Sequence, residues 1–158
     1  MIFVTVGHQM PFDRLIRLVD RWAAQHRNAE IFAQIGRAEY RPENFSCTEF
    51  LDPAGFERRV HDCSAVVGHA GTGSIIQALL EDKPLLVLPR LGRLNETRND
   101  HQVGTARHFA AAGQLLMAAD DDDFVRLLGK VEAFRPKSLI GKSASPQLIA
   151  EIRQFVEA

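Results

Sequence analysis

Ala65-Val66-Val67-Gly68-His69-Ala70-Gly71-Thr72-Gly73-Ser74-Ile75-Ile76-Gln77-Ala78-Leu79-Leu80, closed by Pro84 and followed by Leu85-Leu86-Val87-Leu88, is the stretch on which the fold turns. Its first three residues form a short apolar run ending at a glycine, which suits a buried strand. Gly68 to Ser74 is a glycine-rich loop, and beyond it Ile75, Ile76, Leu79 and Leu80 share one face of a helix. Pro84 closes that helix. The apolar residues after it show no polar alternation, the pattern of a central strand covered on both faces. Strand, loop, helix and strand in this order form a βαβ unit, whose two strands run parallel.

The same alternation extends in both directions. Ile2-Phe3-Val4-Thr5-Val6 is a β-branched and aromatic strand stopping at Gly7, and after Pro11 the apolar positions Phe12, Leu15, Ile16, Val19, Trp22 and Ala23 follow at helical spacing. Ile31 to Ile35 is a second strand ending at Gly36, and a short third one falls around Cys47 to Phe50. Asp52-Pro53 reads as an N-cap with proline at the first helical position of a helix reaching about Asp62. On the other side, the polar loop from Pro89 to Asn99 leads into a helix from about Asp100 to Ala112, then Gly113 and a strand from Leu115 to Ala118. Two further helices complete the chain, the last carrying Leu148, Ile149, Ile152, Phe155 and Val156 as an amphipathic stripe able to pack back across the sheet. The prediction is an α/β fold. A Rossmann-like, doubly wound, mostly parallel sheet has helices on both faces and right-handed crossovers, in a single domain spanning residues 1–158.

Composition narrows the function classes. Of the 158 residues 46% are apolar and 25% charged, the balance of one globular domain rather than a disordered tail. Nineteen basic side chains against twenty acidic ones leave a net charge of -1, with no basic cluster, so nucleic acid is not an expected partner. Cys47 and Cys63 stand apart without CxxC spacing, which fits a reducing, cytoplasmic setting. The N-terminus lacks a basic segment and a cleavage signal, and no window approaches a membrane span, so neither export nor insertion is expected. Recruitment to the inner face of the cell membrane through another protein stays open.

In such sheets ligands bind beyond the carboxyl ends of the strands, so the loops there carry the chemistry. These are Gly7-His8-Gln9, His69-Ala70-Gly71-Thr72-Gly73-Ser74 and Arg90 through Gln102. In the second, Gly71 and Gly73 let backbone N–H groups approach an anion, Thr72 and Ser74 add hydroxyl donors, and the following helix turns its positive end towards the ligand. A diphosphate is the natural occupant. The plainer alternative is that the glycines only turn a strand into a helix, with Thr72 or Ser74 as an ordinary N-cap.

His69-Ala70-Gly71-Thr72-Gly73-Ser74, followed by Pro84 and an apolar strand, resembles the donor half of family 28 glycosyltransferases. Ile2-Phe3-Val4-Thr5-Val6-Gly7 with Pro11-Phe12-Asp13-Arg14-Leu15-Ile16 is similar to the opening of small bacterial exopolysaccharide subunits of the PssE type, and Pro89-Arg90 with Asn99-Asp100-His101-Gln102 to their distal motif. The resemblance implies a split GT-B enzyme. This chain would bind the UDP-sugar donor, while a membrane-associated PssD-type subunit would bind a lipid-linked glycan acceptor, in an inverting transfer serving polysaccharide biosynthesis. MurG, in comparison, carries both halves in one chain. The family pattern places the diphosphate over Gly71 to Ser74, lines the cleft with Gly7 and His8, and turns Arg90, Asp100, His101 and Gln102 towards the donor. Gln77 stands where MurG-like enzymes have a ribose-binding glutamate, and a neutral amide still bonds a ribose hydroxyl. His8 replaces a common threonine, and Asn95 and Thr97 replace a common glycine and histidine. No cofactor is implied.

Other readings of single residues stay open. Arg90 suits phosphate neutralisation or a surface ion pair; Gln102 suits sugar hydroxyls; Glu96 suits the same hydroxyls or a solvated surface position; Asp100 suits a helix N-cap, and His101 a solvated first turn. His69 suits a phosphate or hydroxyl contact, or loop scaffolding. The six histidines show no zinc spacing, and Asp120 to Asp123 fits helix capping better than a metal site, so no metal is expected. Gly141-Lys142-Ser143 lacks the earlier glycine of a P-loop. The alternative function is a non-catalytic partner that stabilises or activates a transferase.

Overall fold

The computed structural model describes residues 1–137, so the C-terminal stripe from Leu148 to Val156 and the Gly141–Ser143 triplet lie outside the described residues. The described elements run β1 (Ile2–Thr5), α1 (Asp13–Gln25), β2 (Ile31–Gln34), β3 (Ser46–Thr48), α2 (Pro53–Asp62), β4 (Ala65–Gly68), α3 (Thr72–Leu80), β5 (Leu85–Val87), α4 (His101–Ala111), β6 (Leu116–Met117) and α5 (Asp121–Leu128). Among the described residues the strands form one six-stranded sheet in the order β3-β2-β1-β4-β5-β6, with every neighbouring pair parallel. This is the order of the doubly wound dinucleotide-binding fold.

Side-chain alternation explains why helices cover both faces. Ile2 and Val4 of β1, Ala65 and Val67 of β4, and Leu86 after them point into a core closed by Leu15, Ile16 and Val19 of α1 and Phe124 and Leu128 of α5. Phe3, Val66, Leu85 and Val87 point the opposite way, onto Val60 of α2, Ile75 and Leu79 of α3 and Ala106 of α4. With two apolar faces per strand, β1, β4 and β5 show the unbroken hydrophobic runs of a parallel sheet. No helix among the described residues is long and apolar enough to cross a membrane.

One boundary differs from the sequence expectation in a way that matters. The loop after β4 ends at Gly71, and Thr72, Gly73 and Ser74 already form the first turn of α3, whose first intrahelical bond runs from the Ile75 N–H to the Gly71 carbonyl. Glycine is costly inside a helix but not in its first turn, where Gly73 sits.

Candidate functional site

The sheet reverses its winding between β1 and β4, and a crevice opens beyond their carboxyl ends, where the loops diverge to opposite faces. Each wall of that crevice has a local cause. Gly7 ends β1 with φ of +75°, a conformation open to glycine, and its N–H donates to Thr5 Oγ1 at 3.2 Å. Across from it the His69 ring is packed so tightly that a Cβ on Gly7 would come within 2.7 Å of Cε1, and one on Gly71 within 2.2 Å of Nε2. The two glycines therefore let an imidazole sit between the β1 and β4 loops.

Burial, with the charges of Arg90 and then His8 adding to it, lowers the His69 pKa to about 4, and the Thr5 carbonyl only partly opposes this. His69 is neutral at neutral pH. Its Nδ1 is buried and has no hydrogen-bond partner among the described residues.

The N-terminus of α3 forms the next wall. Its N-cap is Gly71 and no side chain caps it, so neither Thr72 nor Ser74 is the capping residue that the plainer reading allowed. The first-turn N–H groups have no partner within the helix. A Cβ on Gly73 would meet nothing within 4 Å. A cavity of about 310 Å³ lies against this turn, lined by Gly7, His8, Leu51, Pro53, Phe56, Glu57, Gly73, Ser74 and Gln77. His8 stacks on Phe50 at its mouth, with ring centroids 5.6 Å apart. A smaller cavity of about 100 Å³ adjoins it through His8 and reaches His69, Arg90, Glu96, His101 and Gln102. Gly7, His8, Gly73, Ser74 and Gln77 thus share one cavity, and His69, Arg90, His101 and Gln102 share the other with His8.

Arg90 is not placed as the sequence suggested. It is 3% exposed, and its guanidinium donates to the carbonyls of Val6 (2.8 Å), Met10 (2.6 Å), Pro11 (2.6 Å) and Glu96 (3.1 Å), above the Phe12 ring. Neither free phosphate neutralisation nor a surface ion pair describes it: it ties the β1–α1 loop to the segment after β5. Burial lowers its pKa to about 10, partly offset by Glu96, which leaves it charged at neutral pH. Gln102 Oε1 accepts the Arg90 N–H at 3.3 Å, so only the rest of its amide is left to a ligand.

Glu96 is corrected as well. Its two carboxylate oxygens accept from Arg14 Nε and Nη2 at 2.6 and 2.8 Å, and Oε2 also accepts the Leu91 N–H at 2.9 Å, which commits it first to Arg14 and the loop backbone. Asp100 occupies the N-cap position of α4 without capping it; its carboxylate accepts the Gly92 N–H at 2.7 Å instead. His101 is exposed beside Asn99, which bonds both its ring and its N–H. Asn95 has φ of +57°, which explains why glycine suits this position and why asparagine, tolerant of the left-handed region, replaces it. The acidic run belongs to α5: Asp120 accepts the Asp123 N–H at 2.8 Å, Asp123 the Ala119 N–H at 3.1 Å, and Asp121 pairs with Arg14 at 2.7 Å.

Leu51, Pro53, Phe56 and Glu57, which no motif marks as ligand-binding, line the larger of the two cavities from the β3–α2 segment. Their signal was positional: they follow a strand, as the three chosen loops do.

The sequence matches the family described as Glycosyltransferase family 28 C-terminal domain over residues 1–152. The UDP-N-acetylglucosamine transferase subunit ALG13 of Homo sapiens is 32% identical over 125 residues, covering 72% of this chain, which spans only 10% of the human protein. An NMR solution structure of ALG13 superposes with a TM-score of 0.63 at 17% identity, over 99% of this chain and 96% of that one. MurG of Acinetobacter baumannii superposes with a TM-score of 0.59 at 14% identity, over 85% of this chain but 42% of MurG, one half of a larger molecule. The fold is that of the C-terminal half of GT-B glycosyltransferases, and the chain belongs to the glycosyltransferase family 28 C-terminal domain family.

Proposed function

We propose that this chain is the donor-binding subunit of a two-component inverting glycosyltransferase. It holds a UDP-sugar while a membrane-associated subunit of the PssD type presents a lipid-linked glycan, in polysaccharide biosynthesis. The observation carrying this reading is the uncapped N-terminus of α3 at the β1/β4 switch point, with Gly73 and Ser74 forming the wall of an open cleft. Free N–H groups and the positive end of a helix suit a diphosphate. Leu51, Pro53 and Phe56 offer the base an apolar wall, and His69, His101 and Gln102 in the adjoining cavity stand where a sugar joined to the second phosphate would reach. Because the human relative is a subunit of a UDP-N-acetylglucosamine transferase, UDP-N-acetylglucosamine is the first donor to try.

Transfer then follows with inversion. An acceptor hydroxyl attacks the anomeric carbon as the bond to the diphosphate oxygen breaks; the electron pair leaves with UDP, and the α3 amides stabilise that charge. The hydroxyl proton passes to a base on the partner's side, since His69 is held at low pKa and Glu96 is locked to Arg14. Met10, Phe50 and Leu94 support a covering partner: they are large, apolar and exposed, and all three lie on loops at this end of the sheet.

Calorimetry with UDP and Gly73→Val tests the donor site. A Cβ at this position has open space around it and faces the cleft, so the folded variant is expected to bind UDP at least about tenfold more weakly. Equal binding by a folded variant removes the diphosphate from this turn.

A further inference from the structure

Glu57 is a carboxylate that the donor reading leaves unused. It lies on α2 beside Phe56 and lines the cavity of about 310 Å³ together with Ser74 and Gln77 of α3. Among the described residues it is the only carboxylate in that lining. Among the described residues no hydrogen bond or ion pair engages it, whereas Glu96 and Asp100, two other acidic groups at this end of the sheet, accept from Arg14 and from backbone N–H groups.

A free negative charge facing a diphosphate opposes binding, so its place along the ligand matters. The helix supplies the direction. The free amides stand at the start of α3, and Gln77, five residues beyond Thr72, lies about 7.5 Å further along the axis at about 1.5 Å per residue. Glu57 lines the cavity from α2, which packs against α3. In a nucleoside diphosphate the ribose comes directly after the phosphates, and its neighbouring hydroxyls are donors in search of an acceptor. An ionised carboxylate only accepts, and with two oxygens it takes both hydroxyls of a diol. Carboxylates hold ribose hydroxyls in this way in other doubly wound sheets. The base then falls against the apolar side chains of Leu51, Pro53 and Phe56.

We propose that Glu57 accepts hydrogen bonds from the ribose hydroxyls of the donor nucleotide, beside Gln77, and makes the site selective for ribonucleotides over deoxyribonucleotides. This rests on the donor reading. The full chain is titrated with UDP and with 2′-deoxy-UDP, following the Gly73 and Ser74 amides by NMR. The wild type is expected to prefer UDP by about tenfold; Glu57→Gln and Glu57→Ala are expected to bring that preference to about twofold or less, with 2′-deoxy-UDP affinity within about threefold of the wild type. Because Glu57 is exposed, both variants should fold. Variants that keep the wild-type preference, while UDP still moves the Gly73 and Ser74 amides, overturn the role of Glu57 and leave the donor reading standing. A preference between UDP and CDP that changes on substitution, with the ribose preference intact, likewise overturns it by moving the carboxylate to the base. Absence of any UDP effect on those amides overturns both.

Discussion

Arg90 shows how one buried side chain can tie the walls of a site together. Four loop carbonyls converge on a guanidinium whose planar fork of N–H donors meets several acceptors at once, which a lysine ammonium does not reproduce. Arg90→Met removes the donors and keeps much of the volume, leaving buried carbonyls unpaired; a loss of about 3 kcal/mol in urea unfolding is expected. A variant as stable as the wild type contradicts the scaffold role. In the sequence this arginine looked like a phosphate ligand or a surface ion pair, because nothing in the residue type distinguishes a buried tie from either. Glu57 escaped notice for the opposite reason: an acidic residue on a polar helix face reads as solvated until the fold turns that face towards a cleft. Gly7 and Gly71 were picked out as a strand end and a phosphate-loop glycine, but the sequence could not show the packing that requires them: no Cβ fits beside His69.

At the scale of elements, the strands were readable because β1, β4 and β5 are buried on both faces and carry almost no polar residues. The start of α3 was less so, since Thr72-Gly73-Ser74 has poor helix propensity and is helical through tertiary packing of Ile75 and Leu79. The loop between β2 and β3 is held by α1. Asp20, 3% exposed, accepts from Tyr40 Oη at 2.6 Å, from Asn44 N at 2.9 Å and Nδ2 at 3.1 Å, and from Glu43 N at 3.1 Å. Burial alone raises its pKa, but the Tyr40, Asn44 and Glu43 donors outweigh that and hold it below the ordinary value of 3.8. A carboxyl with a depressed folded pKa stabilises the fold above its unfolded pKa and loses that contribution as pH falls through the folded value. Asp20→Asn is therefore expected to cost about 2 kcal/mol at pH 7 and less as pH drops below 3.8, so the two stability curves converge in acid. Parallel curves, measured by denaturant unfolding across that range, contradict the assignment.

For the whole molecule, the described residues leave the cleft open on one side, with Met10, Phe50 and Leu94 exposed on loops at the same end of the sheet. A donor bound there faces water, and nothing fixes an acceptor hydroxyl near its anomeric carbon. The purified chain is accordingly expected to transfer no sugar from labelled UDP-N-acetylglucosamine to a lipid-linked acceptor, and to do so once the partner subunit is added; robust transfer by the chain alone contradicts a divided enzyme. The donor site stands or falls with the first turn of α3 as the seat of the diphosphate. The most direct measurement is the amide NMR spectrum of the full chain titrated with UDP. A diphosphate at this turn is expected to give the largest shifts at Thr72, Gly73 and Ser74, with smaller ones at Gly7 and Gln77, and to lose them in Gly73→Val; saturable shifts centred elsewhere, with the α3 amides unmoved, place the ligand away from this helix.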